Sequence, residues 1–288
     1  MAEPWHQIRT GSGPEVELWS LVLQAVDIDH RLRRGEMEWE LWCPESKVLE
    51  AEYELASFEV ENAVWPPSEI YSPALKTGPL PVLSAAALSI FYAFTGPWGG
   101  ALSRAGDVNR QAILNHGEWW RLVTGLTLHA DFNHLLGNVV IGALVMYYLA
   151  QETGGGAACL LAVVVGAAAN LCNTLLQADY YQSLGFSTSV FAMIGAMAGM
   201  RITNWDRGLK AALGPLGAGL ALLAMLGMGG RHTDVGAHAW GLALGVPAGI
   251  LCRVVRNRSS ALSWSGWQSL WGMCALLIVT GAWYLAWP

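Results

Sequence analysis

Seven apolar segments, each about 20 residues long, constrain the fold of this chain more than any other feature of its sequence. They lie near 80–98, 133–151, 157–177, 187–203, 211–229, 237–254 and 267–287. A helix of about 20 apolar residues crosses a hydrocarbon layer about 30 Å thick. Charged residues make up only 13% of the chain, which is low for a soluble domain. The sequence therefore predicts an all-α polytopic membrane bundle.

The first 79 residues have a different composition and predict a separate unit. Their net charge is −9, whereas that of residues 80–288 is +3. The pattern of a helix, two strands and a second helix indicates a small cytosolic α/β domain over residues 1–65, followed by a Pro-containing linker over 66–79. The expected elements are helices over 14–28 and 45–64 and strands over 30–34 and 36–44.

The distribution of basic residues predicts how the chain crosses the membrane. No signal-peptide pattern precedes the acidic domain, so we expect a cytoplasmic N-terminus. The cytoplasmic connections then carry seven Lys or Arg residues and the outer connections four, in agreement with the positive-inside bias. Residues 80–255 would form a six-span core and 256–288 an extra C-terminal transmembrane helix. We expect an integral protein of a bacterial plasma membrane.

The connection between the first two spans is about 34 residues long, and it is too apolar for a plain turn. We expect a partly helical element in the outer interface, anchored by Trp119 and Trp120.

No metal or cofactor is expected. The five cysteines are scattered and without CxxC spacing, so they predict neither disulfides nor a zinc site. His129 and His134 lack an accompanying carboxylate or cysteine at ligand spacing. No nucleic-acid partner is expected.

Four polar residues begin spans that all run from the outside to the inside. His134 and Asn138 open the second span, Ser187 the fourth and His238 the sixth, so they share one shallow depth. His134 and Asn138 point the same way on a helix and can donate hydrogen bonds to an oxyanion. Free N–H groups surround Ser187 at its helix N-terminus, and His238 is the candidate base for its proton. Polar groups of this kind are costly to bury in a membrane, so their presence indicates a function. A hydroxyl, a base and two oxyanion donors at one depth predict acyl-transfer chemistry.

Each of these residues also has an ordinary structural interpretation. Hydroxyls at a helix start cap free N–H groups, and histidine or asparagine within a span can join helices. Ser189 is a rival nucleophile, but two positions beyond Ser187 it points roughly the opposite way. Asp179 and Asp234 lie in outer loops, and neither is assigned as a third catalytic residue.

Residues 110 to 255 resemble the rhomboid family of intramembrane serine proteases. The stretch GEWWRLVTGLTLHADFNHLLGN is similar to the family's Trp-Arg loop followed by HxxxN. GFSTSVFAMIGA and AHAWGLALG are similar to its GxSx nucleophile motif and its AHxxGxxxG helix. The order and spacing of the three motifs also match.

The resemblance implies roles for the matching residues. Ser187 would be the nucleophile and His238 its general base, a dyad without a carboxylate. His134, Asn138 and the Ser187 backbone N–H would form the oxyanion hole. The implied supporting residues are Phe191, which packs on the imidazole, Gly241 and Gly245, which bring the sixth span against the fourth, and the structural loop pair Trp120 and Arg121.

One residue departs from the family pattern. The family commonly has glycine after its serine, where this chain has Thr188. A β-branched side chain at that position either narrows the site or points away from it.

The predicted activity is intramembrane serine endopeptidase action on peptide bonds in or beside the transmembrane helices of membrane-protein substrates. The site would open to the extracytoplasmic side through a polar cavity bounded by the first outer loop and by residues 230–236. Activity would fall in acid, because a general base needs a neutral imidazole, whose ordinary pKa is about 6.5. The alternative is a catalytically inactive rhomboid-like protein that binds membrane proteins for quality control or trafficking. A transporter is less favoured, because no inverted repeat or midplane carboxylate is visible.

Overall fold

The computed structural model describes residues 3–35, 38–63, 78–203, 208–227, 234–259 and 261–287. The chain divides into two compact units, Met1–Pro73 and Ala74–Pro288. Of the predicted linker 66–79, only residues 78 and 79 lie within the described part of the chain.

The N-terminal unit is a three-stranded antiparallel sheet packed against two helices. Its elements are β1 (Trp5–Gly11), α1 (Gly13–Ala25), β2 (Arg31–Arg34), β3 (Trp39–Pro44) and α2 (Val48–Asn62). β3 lies between β1 and β2, and its Leu41 packs with Leu23 of α1 and Leu55 of α2 in the core. The predicted helices and strands are present, but the sequence interpretation missed β1. This strand pairs with β3 alone, and its polar residues do not give a clear alternation.

The second unit is a helical bundle in which the connection between its first two long helices carries short helices of its own. The elements are α3 (Leu80–Thr95), α4 (Ala101–Gly106), β4 (Val108–Asn109), α5 (Arg110–His116), α6 (Arg121–Thr124), α7 (Phe132–Thr153), α8 (Gly155–Leu176), β5 (Gln182–Ser183), α9 (Ser187–Ile202), α10 (Gly208–Gly227), α11 (Val235–Arg258), α12 (Ala261–Gly266) and α13 (Gln268–Ala286). Each predicted apolar segment corresponds to one long helix.

Length and composition divide these helices into two groups. Among the described residues, four helices are long and apolar enough to cross a membrane, and they are Phe132–Thr153, Gly155–Leu176, Val235–Arg258 and Ser263–Ala286. Three shorter apolar helices accompany them, at Leu80–Thr95, Ser187–Ile202 and Lys210–Ala224. The protein is therefore an integral membrane protein with a helical core.

Helix α9 is the centre of the bundle and is buried along nearly its whole length. Glycine lets its backbone touch that of α11. A Cβ on Gly195 would lie 2.3 Å from the Leu242 carbonyl oxygen, and one on Gly245 would lie 2.3 Å from that of Ala192. Such contacts leave no room for side chains between the two helices.

The connection between α3 and α7 is partly helical, as expected, and is held from two sides. β4 pairs antiparallel with β5 and so joins the connection to the segment that leads into α9. Trp283 of α13 donates a hydrogen bond from Nε1 to Thr127 Oγ1 at 3.0 Å and packs with Leu128, Leu184 and Trp120. Trp119, expected as an anchor, is 51% exposed.

Candidate active site

Ser187 and His238 meet at the N-terminal ends of two packed helices. Ser187 is the first residue of α9, and His238 lies in the first turn of α11. Their Oγ and Nε2 atoms are 2.6 Å apart, and both side chains are buried. Phe186, not Ser187, is the N-cap of α9, and it makes no side-chain cap. The Ser187 hydroxyl therefore bonds the imidazole instead of capping its own helix.

Phe191 fixes the plane of the His238 ring. It lies about one helical turn beyond Ser187, and its ring stacks on the imidazole with the centroids 4.6 Å apart and an interplanar angle of 20°. The other ring nitrogen, Nδ1, has no hydrogen-bond partner among the described residues. The contact between Ser187 and His238 is thus a pair without a carboxylate bonded behind the histidine.

Ser189 points away from this pair. Its buried hydroxyl donates to the Ala162 carbonyl oxygen of α8 at 2.8 Å. Gly166 makes room for it, because a Cβ there would lie 2.5 Å from the Ser189 oxygen. The rival nucleophile is thereby engaged in joining two helices.

His134 presents a hydrogen-bond donor to the same space as the Ser187 hydroxyl. Its Nδ1 accepts the Ala130 N–H at 3.3 Å, so the neutral ring carries its proton on Nε2. A Cβ built on Gly185 would lie 2.9 Å from His134 Nε2 and 3.4 Å from Ser187 Oγ. A small group held at that point would touch both.

Asn138 adds a second donor one turn further along α7. Its side chain is 7% exposed, and its Nδ2 has no hydrogen-bond partner among the described residues. A buried amide without a partner costs about 1–3 kcal/mol, so it needs an explanation. A donor held ready for a reacting species is such an explanation.

Gly185 is the site residue that the sequence interpretation missed. Its φ of +140° is a conformation that residues with a side chain rarely adopt. Any side chain there would also fill the space between His134 and Ser187. The signal was present in the sequence, because this glycine opens the quoted GFSTSV motif.

A polar cavity of about 440 Å³ lies between the segments that lead into α9 and α11, and neither Ser187 nor His238 is among its lining residues. Its walls come from residues 177 and 181–184 ahead of α9, from residues 234–236 at the start of α11, and from Trp98 and Ala130. Of the predicted bounding loop 230–236, residues 230–233, including His232, lie outside the described part of the chain.

Arg121 bonds other residues of the connection between α3 and α7, and Ser187 is not among its hydrogen-bond partners. Its guanidinium donates to the Asp107 carboxylate at 2.8 Å, to the Arg104 carbonyl at 2.9 Å and to Glu118 at 2.6 Å. Burial raises the pKa of Asp107 to about 6, although Arg121 acts in the opposite direction. Trp120 packs nearby with Leu128.

His129 is a buried neighbour of His134 in the loop just before α7. The two rings lie 5.4 Å apart at 68°. Burial, and then His134, lower the pKa of His129 to about 3, so the ring is neutral. Within the described residues no three His, Cys, Asp or Glu side chains are grouped as metal ligands would be.

Thr188, the departure from the family pattern, is 4% exposed. A Cβ on Gly241 would lie 2.6 Å from its carbonyl oxygen. Its backbone thus faces α11, and the buried side chain presents little surface to a ligand.

Comparison with known proteins shows which family this sequence is similar to. Residues 116–255 match the family described as Rhomboid domain. The chain is 32% identical over 111 residues to RHOMBOID-like protein 5 of Arabidopsis thaliana, covering 38% of this chain and 36% of that protein. It is 30% identical over 143 residues to Rhomboid-like protease 2 of Toxoplasma gondii, covering 49% and 50%. It is 27% identical over 143 residues to the Putative rhomboid protease YdcA of Bacillus subtilis, covering 50% and 72%. The match thus spans little more than a third of the plant relative's length.

Proposed function

The chain belongs to the rhomboid family, and from this premise we propose that it is an intramembrane serine endopeptidase that cuts membrane proteins in or next to their transmembrane helices. One observation carries the proposal, which is the 2.6 Å approach of Ser187 Oγ to His238 Nε2 in a buried setting. Two of the relatives above are named as proteases.

The proposed reaction proceeds through an acyl-enzyme. Ser187 Oγ attacks the scissile carbonyl carbon while His238 Nε2 takes the hydroxyl proton. The protonated His238 then gives this proton to the leaving amine nitrogen as the carbon–nitrogen bond breaks. Water next attacks the ester, with His238 again as base, and releases the acid and the Ser187 hydroxyl. Serine, water and imidazole suffice for these steps.

The oxyanion would form at the space beside Gly185. The donors that we propose for it are His134 Nε2–H, the Asn138 amide and the Ser187 backbone N–H at the start of α9. Donors that are in place before charge develops stabilise the transition state more than the ground state. The positive end of the α9 dipole acts in the same direction.

The short length of α9 supports a recessed site that water can reach. Its 16 residues rise about 24 Å at 1.5 Å per residue, which is less than a hydrocarbon core of about 30 Å. The polar cavity of about 440 Å³ is lined by residues just ahead of α9 and at the start of α11, and we propose that water reaches the pair from it. We propose that it opens to the extracytoplasmic side, with the N-terminal domain in the cytosol. The relatives come from a plant, Toxoplasma and a bacterium, so they do not support the expected bacterial plasma membrane over other membranes.

The test is cleavage of a transmembrane substrate by the purified full chain in liposomes, with Ser187→Ala, His238→Ala and Ser189→Ala alongside. We expect Ser187→Ala and His238→Ala to abolish both cleavage and the reaction of the protein with a fluorophosphonate. Ser189→Ala should retain both. Cleavage that survives Ser187→Ala would exclude the proposed nucleophile. Substrate binding without any cleavage or labelling of the wild type would favour the inactive binding protein instead.

A further inference from the structure

Three side chains from separate segments converge beside the dyad without touching it. Asp234 is the N-cap of α11 and accepts the Ala237 N–H at 3.0 Å. The same carboxylate accepts hydrogen bonds from Asn173 Nδ2 of α8 at 3.0 Å and from the Tyr181 hydroxyl. Asn173 Nδ2 also donates to the Tyr181 oxygen at 2.8 Å. The proposed chemistry uses none of these groups.

The bond between Tyr181 and Asp234 spans the two segments that carry the reacting residues. Tyr181 precedes Ser187 by six residues, and Asp234 precedes His238 by four. Tyr181 is itself held, because its carbonyl accepts the Arg110 N–H at 3.1 Å and the next two residues form β5, which pairs with β4. The spacing of Ser187 and His238 is thus tied to this bond as well as to the packing of α9 on α11.

The hydrogen bonds that the Asp234 carboxylate accepts from the described residues all come from neutral groups. Burial, and then the charge of Asp234, raise the pKa of Tyr181, so the phenol stays protonated and donates. The other donors, Asn173 and the Ala237 N–H, are neutral. No Lys or Arg of the described ranges forms an ion pair with Asp234. The Asp234 carboxylate lies one helical turn before His238, whose Nδ1 lacks a partner among these residues.

We propose, resting on the function proposed above, that Asp234 is a positioning residue for His238. Its bond to Tyr181 sets the distance between Ser187 Oγ and His238 Nε2. Its charge stabilises the imidazolium that forms when His238 takes the serine proton. The other groups that face the ring are the Ser187 hydroxyl and Phe191 from α9, and His134 from α7.

The experiment measures kcat, KM and the pH profile of cleavage for the full chain in liposomes. Asp234→Asn keeps a good N-cap but removes the charge, and Tyr181→Phe removes only the phenol hydrogen bond. Two exposed side chains supply matched controls, since Asp29→Asn and Tyr180→Phe make the same chemical changes away from the Tyr181–Asp234 bond.

We expect Tyr181→Phe and Asp234→Asn each to lower kcat about tenfold at unchanged KM, the effect of one lost charge-assisted hydrogen bond. Asp234→Asn should also move the acid limb of the profile to lower pH, because a neighbouring anion no longer favours the imidazolium, and Asp234→Glu should move it back. The two controls should match the wild type.

The outcomes separate this inference from the proposed function. If Asp234→Asn and Tyr181→Phe both match the wild type in kcat and in the acid limb, while Asp234→Ala lowers the melting temperature, Asp234 is a helix cap only and the inference is wrong. If Asp234→Asn is too unstable to assay, an unchanged kcat in Tyr181→Phe would equally rule out the positioning role. A wild type that behaves like Ser187→Ala would instead reject the proposed function.

Discussion

At the residue scale, Gly185 has an unusual backbone conformation and no free space around it for a side chain. We predict that Gly185→Ala lowers the rate of Ser187 labelling at least about 100-fold. Its Cβ would lie 2.7 Å from His134 Cε1, so the His134 ring must move. A displacement of about 1 Å in an active site lowers the rate by about this factor. The φ of +140° adds strain of about 1–3 kcal/mol. Gly137→Ala on α7, where a Cβ meets nothing within 4 Å, is the control. Equal labelling of both variants would contradict the prediction.

His129 predicts how stability responds to acid. Its pKa is about 3 in the folded protein and about 6.5 when unfolded, so the unfolded chain binds more protons between these values. The stability contributed by the neutral ring is therefore present above pH 6.5 and is lost as the pH falls towards 3, by about 1.4 kcal/mol per pH unit. We expect His129→Phe to flatten the fall in melting temperature between pH 7 and 5 in detergent, and His116→Phe, at an exposed site, to leave it unchanged. Identical slopes for His129→Phe and the wild type would exclude this role.

The sequence predicted the positions of the reacting residues more readily than their surroundings. Ser187, His238 and His134 follow from spacing on helices whose ends share one depth. The bond between Tyr181 and Asp234 does not, because it joins residues 53 apart in the chain through loops that have no periodic pattern. The sequence also did not determine whether Ser187 or Ser189 faces the site. Two residues that are two positions apart on a helix point in different directions, but their spacing does not identify the one that faces the site.

At the element scale, the contact between α9 and α11 depends on glycine. We predict that Gly245→Ala lowers both the melting temperature and kcat, because its Cβ would lie 2.3 Å from the Ala192 backbone oxygen, which cannot yield as a side chain does. The helices must then separate, and the distance from Ser187 to His238 must grow. Gly217→Ala in α10, where a Cβ meets nothing within 4 Å, should be neutral or stabilising by up to about 1 kcal/mol. A Gly245→Ala protein with wild-type kcat would show that this packing does not set the geometry of the site.

The long helices were predictable and the short strands were not. An apolar run of about 20 residues has few alternatives to a membrane helix, which is why each predicted segment is present. β4 and β5 have two residues each, too few for any alternation. They form because Val108 and Ser183 are brought opposite each other by the tertiary fold.

At the scale of the whole molecule, the proposed orientation can be tested by labelling. We predict that Tyr180→Cys, at a side chain 88% exposed, reacts with a membrane-impermeant maleimide on intact cells. Asn257→Cys, exposed at the other end of α11, should react only after permeabilisation. Both variants would be made in a background whose five native cysteines are replaced. The reverse pattern would place the cavity on the cytoplasmic side.

Helix α13 supports parts of the chain that are synthesised well before it. Gln268 at its start donates to the Thr153 carbonyl at 3.0 Å, and Trp283 near its end bonds Thr127 at 3.0 Å. Both acceptors are synthesised more than a hundred residues earlier. Before α13 is in place, Ser187 and His238 are already present in the chain, but the loop ahead of His134 lacks the support of Trp283. We therefore expect activity to appear only after α13 has been inserted.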